Sequence, residues 1–135
     1  MNAAETPDSR ATGLVLVIED HDDTRHMVEE YLAWEGVPVV AAENGLTGLA
    51  ALRQHRPCVV LLDLTMPVMD GWQFRSEQQR LDDAALAGTP VIVLSALPDA
   101  AQHARTLHAA AVIPKPIDFE RMITVVRAYC DRRGE

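Results

Sequence analysis

Five short apolar runs, each followed by a segment of helical period, constrain this chain more than any other feature. They are "LVLVIE" (14–19), "PVVAAE" (38–43), "CVVLL" (58–62), "PVIVLS" (90–95) and "AVIP" (111–114). Such runs, with no polar residue inside them, read as strands buried on both faces. Between them lie the helical patterns 22–36, 46–55, 72–81, 99–110 and 118–132. In the first, Met27, Val28, Tyr31 and Leu32 recur at helical spacing and Gly36 is the stop. In the last, Phe119, Met122, Ile123, Val126, Tyr129 and Cys130 form one stripe, with Asp118 as a natural N-cap. Five β-α units of this kind imply an α/β fold with a parallel sheet and helices on both faces.

The 135 residues suffice for one core. Residues 1–12 are polar and aperiodic, and a disordered arm is expected there. A net charge of −8 argues against binding nucleic acid or anionic lipid by general electrostatics. No apolar run approaches the ~20 residues of a membrane span, and the N-terminus lacks a secretory apolar region. Cys58 and Cys130 lie far apart among apolar residues, so reduced core thiols in a cytoplasmic protein are expected.

In open α/β sheets, functional residues gather at the carboxyl ends of the strands, near the point where strand order reverses. Here the first strand ends in Glu19-Asp20, the third in Asp63, the fourth in Ser95-Ala96 and the fifth in Lys115. Three converging carboxylates resist ionisation unless a cation sits among them. Hard oxygen ligands point to Mg²⁺, and a lysine with a serine hydroxyl would hold phosphoryl oxygens. The set suits an aspartyl phosphate, with Asp63 as nucleophile.

The motifs "VIEDHDD", "LLDLTMPVMDG", "TPVIVLSA" and "PKP" occur in the order and spacing of two-component response regulators, and residues 13–133 resemble their receiver domain. The resemblance implies a flavodoxin-like, doubly wound five-stranded parallel sheet of order 2-1-3-4-5, with five helices on two faces. It implies Asp63 as phosphoacceptor, and Glu19, Asp20, Asp63 and the Thr65 backbone carbonyl as the Mg²⁺ site. Ser95 would be the switch hydroxyl, Ala96 the small residue leaving the phosphoryl group accessible, and Lys115 the phosphate-contacting lysine before a cis Pro116. Thr65 and Leu97 would flank the path of the attacking water. Receivers usually carry Tyr or Phe three residues before the lysine; here Val112 stands there, so a shift of the loop after the fourth strand is expected to serve instead. Pro114 fits only on an edge strand, which the fifth would be.

The implied function is a phosphorylation-dependent signalling switch, not a turnover enzyme. The donor would be a phosphohistidine on a histidine kinase or phosphotransfer protein, and the output a downstream protein contact. Because the chain starts at Met1 and ends soon after its last helix, a stand-alone receiver without an output domain is expected. Two other classes compete. An aspartyl hydrolase would want a second aspartate two residues after the nucleophile, where Thr65 sits. A phosphorylation-independent docking module is argued against by the complete acidic pair, acceptor and lysine, and kept open by Val112. Asp22 and Asp23 read as helix N-terminal caps, and Trp34 and Trp72 as packing residues. The five histidines have no metal-binding spacing; His21 adjoins the acidic pocket. The 99–110 helix and the start of the last one, with Arg105 exposed, are the candidate partner face.

Overall fold

A computed structural model describes residues 13–130; the expected arm at 1–12 lies outside them. The strands are β1 (Val15–Ile18), β2 (Val39–Ala42), β3 (Val59–Asp63), β4 (Val91–Ser95) and β5 (Ala111–Pro114). They pair in parallel, in the order β2-β1-β3-β4-β5, as expected. The helices are α1 (Asp22–Trp34), α2 (Gly45–His55), α3 (Gly71–Gln79), α4 (Ala84–Ala87), α5 (Ala100–Thr106) and α6 (Phe119–Cys130).

Each central strand is buried throughout, and successive residues alternate between two cores. Leu16, Ile18, Val60, Leu62, Val91 and Val93 pack with Leu49, Leu52, Phe74 and Leu107, on the side of α2 to α5. Val15, Val17, Val59, Leu61, Ile92 and Leu94 pack with Val28, Leu32, Met122, Ile123 and Val126, on the side of α1 and α6. Each such buried aliphatic side chain contributes about 1.5–3 kcal/mol relative to exposure. Pro114 pairs with Ser95 on the edge strand β5, where its missing N–H costs no ladder bond.

Several expectations need correction. Among the described residues six helical segments stand where five were expected. The extra one, α4, is a single turn set by the Asp83 carboxylate, which accepts from the Ala85 and Leu86 N–H groups, and four residues are too few to show a period. The 99–110 helix ends at Thr106, before His108 turns into the left-handed region with φ 56°. His21, rather than Asp22 or Asp23, caps α1: its Nδ1 accepts from the Thr24 N–H, and the two acids occupy the first turn. Trp34 is 87% exposed rather than packed. The cysteines are not separate thiols. Cys58, just before β3, and Cys130, at the end of α6, form a disulfide with Cα atoms 5.3 Å apart. Seventy-two residues of sequence separation hid this closeness, which arises because α6 packs back across β3.

Candidate functional site

Register brings the predicted residues together. Ile18 is level with Ala42 and Leu62, and Asp63 with Leu94, so β1, β3 and β4 end side by side. Glu19 and Asp20 follow β1, Asp63 ends β3, Ser95 ends β4, and Lys115 follows β5. One carboxylate oxygen from each of Glu19, Asp20 and Asp63 lies within 4.8 Å of the others. Glu19 and Asp63 are only 1% and 4% exposed, so water screens their charges poorly. Thr65 and Ala96 are exposed at the rim.

The backbone beyond β3 is forced close to the site by a glycine. A Cβ on Gly71 would stand 2.6 Å from the Asp63 carbonyl oxygen and 2.7 Å from Leu64 Cα. Only glycine lets the start of α3 abut the end of β3 in this way. Asp70 then caps α3, its carboxylate accepting from the Gln73 N–H while the Gln73 side chain accepts from the Asp70 N–H. On the other flank, the Arg25 guanidinium donates to the Glu19 carbonyl at 2.9 Å, and the His21 N–H donates to Glu19 Oε2 at 3.1 Å. No motif points to Arg25, whose six-residue separation from Glu19 matches none.

Lys115 bridges the acids. Its Nζ donates to Glu19 Oε1 at 2.7 Å and lies 3.4 Å from Asp63 Oδ1. The Lys115 N–H donates to the Ser95 carbonyl, tying the two strand ends together. The Ser95 side-chain oxygen accepts from the Leu97 N–H at 2.9 Å, leaving its O–H to donate elsewhere. Burial first, and then the neighbouring Glu19 charge, push the Asp63 carboxyl up to about 7, against the opposing pull of Lys115 and the Thr65 N–H. Burial draws the Lys115 ammonium down, but its bond to Glu19 and the charge of Asp63 outweigh that, leaving its pKa above the ordinary value. One ammonium does not neutralise three carboxylates. The donor set, all oxygen and short of positive charge, fits a hard divalent cation.

The sequence matches the family described as "Response regulator receiver domain" over residues 15–127. The chain belongs to the response regulator receiver family. The receiver is 36% identical to the transcriptional regulatory protein CseB of Streptomyces avermitilis, over 89% of this chain and 50% of that one, so it spans about half of CseB's length. It is 29% identical to the protein PilH of Pseudomonas aeruginosa, over 84% of this chain and 94% of PilH. The structure of the chemotaxis protein CheY4 of Vibrio cholerae superposes with a TM-score of 0.78 at 26% identity, covering 88% of the receiver and 99% of CheY4. Val112, at the position where the aromatic was expected, is half-buried in β5 level with Val93 and packs on the α2–α5 side. No described helix is long and apolar enough to cross a membrane.

Proposed function

We propose that this receiver is a phosphoacceptor switch, taking a phosphoryl group from a phosphohistidine onto Asp63 with Mg²⁺ and signalling by protein contact. The observation that carries the reading is the convergence of three carboxylates, Lys115 and Ser95 at the carboxyl end of the sheet. The Asp63 carboxylate forms the new O–P bond as the donor's N–P bond breaks and imidazole leaves. Glu19, Asp20, Asp63 and the Thr65 carbonyl would hold the Mg²⁺, which when bound supplies positive charge to the phosphoryl oxygens. Lys115, fixed by Glu19, stands ready to meet a phosphoryl oxygen on Asp63. Ser95 would donate its O–H to another, its side chain turning from the Leu97 N–H toward Asp63. The phosphoryl group ends on the protein's own side chain, so this is a switch rather than a turnover enzyme.

A kinase or phosphotransfer protein has a surface to meet. Met27, Glu30, Tyr31, Trp34 and Phe119 line a groove between α1 and α6. Sharing Met27 and Phe119, it continues into a hollow lined by Thr24, Lys115, Pro116 and Ile117, beside the acceptor. Met27 is 52% and Trp34 87% exposed, more apolar surface than a solvated helix needs. An amphipathic helix bearing the phosphohistidine would cover it and face Asp63. This assigns donor docking to α1 and the start of α6, and leaves the exposed Arg105 side of α5 for output. The setting is the cytoplasm.

The test is intact mass after incubation with Mg²⁺ and a small-molecule phosphodonor. Wild type should gain one phosphoryl group, and neither Asp63→Asn nor an EDTA control should. No gain under any condition would return the reading to a docking module.

A further inference from the structure

The two cysteines stand apart from the crevice and have no part in phosphotransfer. Cys58 immediately precedes β3, whose other end is Asp63, and Cys130 closes α6. They are the chain's only cysteines. In a reducing compartment a disulfide is ordinarily transient or redox-sensing. Two local features equip this pair for both states. Cys58 Sγ lies 3.4 Å from the Leu14 carbonyl oxygen, so a freed thiol has an acceptor already in place. The surrounding side chains, among them Val59, Val126 and Ile123, are apolar, and a thiol packs there as a small hydrophobe. Cys130, the last described residue of α6, is 8% exposed against 3% for Cys58, so its sulfur is the more accessible of the two. Because Cys130 lies on the helix side of the pair, local opening of α6 exposes its sulfur to a reductant without unfolding the sheet.

We propose that Cys58–Cys130 is a reversible thiol–disulfide site, reduced by a cellular dithiol, whose state decides whether the end of α6 is fastened to the start of β3. The proposal rests on the cytoplasmic receiver reading above. A reductant thiolate attacks Cys130 Sγ, the S–S bond breaks, and Cys58 leaves as a thiolate that takes up a proton. The reductant's second thiolate then attacks the mixed disulfide and releases Cys130, which is protonated in turn. The protein gains two electrons and two protons, and the reductant departs as its own disulfide. α6 begins four residues after Lys115, and its first residue, Phe119, packs against Tyr31 of α1 with ring centroids 5.3 Å apart. Reduction thus frees the far end of α6 while its near end, and the crevice, stay in place.

The native protein should be equilibrated across dithiothreitol redox buffers, quenched with iodoacetamide and weighed intact, with hydrogen exchange of α6 followed in parallel. Two alkyl groups should be gained on reduction and lost again on reoxidation, with no denaturant present. Exchange in the last turns of α6 should quicken about tenfold or more on reduction. Phosphoryl uptake at Asp63 should persist in both states. The Cys58→Ser/Cys130→Ser variant should exchange like the reduced protein. A pair reducible only in denaturant, or α6 exchange identical in both states, would overturn the proposal. Failure of phosphoryl uptake in both states would count against the phosphoacceptor reading alone, because alkylation and exchange report the thiols independently.

Discussion

The Lys115 ammonium stands closer to Glu19, at 2.7 Å, than to Asp63, at 3.4 Å. The lysine is therefore held by the acid that is not the acceptor, and kept within reach of the one that is. Removing it leaves three crowded carboxylates without a cation of the protein's own. For Lys115→Met we expect a loss of about 1–3 kcal/mol in metal-free stability, below the usual cost of breaking a buried pair because the lysine is partly exposed. We expect phosphoryl uptake to slow by about tenfold or more, since one phosphoryl-facing charge is gone. Urea titration and a mass time course measure the two. Wild-type uptake in this variant would sink the assigned role.

Asp63 makes stability depend on pH in a definite direction. Its carboxyl titrates at 3.8 when unfolded and at about 7 in the folded, metal-free crevice. The folded state binds that proton more tightly, so its contribution is full below 3.8 and is lost as pH rises through 7. Metal-free melting temperature should fall between pH 5 and pH 8, and Asp63→Asn should flatten that fall. Mg²⁺ competes with the proton, so it should raise the melting temperature more at pH 8 than at pH 6. Parallel pH profiles for wild type and Asp63→Asn, by calorimetry, would contradict the assignment.

What could be read from the sequence follows from which forces are local. Unbroken apolar runs mark all five strands, and the strand-end rule alone places Glu19, Asp20, Asp63, Ser95 and Lys115 together. What could not be read depends on long-range packing. Arg75 and Gln78 look like surface residues of a polar helix, yet both are buried because their partners include carbonyls of α4 and of the turns that follow α4 and α5. The Cys58–Cys130 pairing follows from where α6 ends, and α4 from one aspartate cap. Trp34 misled for the opposite reason: a large apolar residue suggests packing, while its place at the last position of α1 leaves it exposed.

Gly71 ties helix placement to the acceptor. The atoms that a Cβ would meet, the Asp63 carbonyl oxygen and Leu64 Cα, are backbone and cannot swing aside. Gly71→Ala should cost about 1–3 kcal/mol through overpacking, and should slow phosphoryl uptake by shifting Asp63. Gly36→Ala is the control. Its φ of +79° also strains alanine, by about 1–2 kcal/mol, but nothing lies near its Cβ and the site is distant. Equal losses of uptake in the two variants would show that stability, not position, is responsible.

Val68 holds φ at 71° in the loop between β3 and α3, although it is β-branched and 75% exposed. Its side chain gains little there from burial to offset a left-handed backbone. Val68→Asn, which tolerates that region, should raise stability by about 1 kcal/mol. A rise in the urea midpoint at unchanged slope is the expected reading. A fall would mean that contacts to this side chain stabilise the loop more than its backbone strain costs.

Arg75 fixes the far end of α5. Its Nε donates to the Leu107 carbonyl and Nη2 to that of His108, both at 2.9 Å, while Nη1 donates to Gln78 Oε1 at 2.8 Å. The near end is held less firmly, since Asp99 precedes the helix at φ 61° and makes no side-chain cap. Motion transmitted from Ser95 should therefore fall at the start of α5, with its end pinned. Arg75→Met strips two terminal carbonyls of their donor and should cost about 2–4 kcal/mol. Arg75→Lys should recover little, because an ammonium cannot reproduce the fork. Hydrogen exchange with and without phosphodonor checks this. In the wild type the change should be confined to residues around 96–102, and in Arg75→Met it should spread to Leu107 and His108. A wild-type change centred on the end of α5 would reverse the assignment of pivot and moving end.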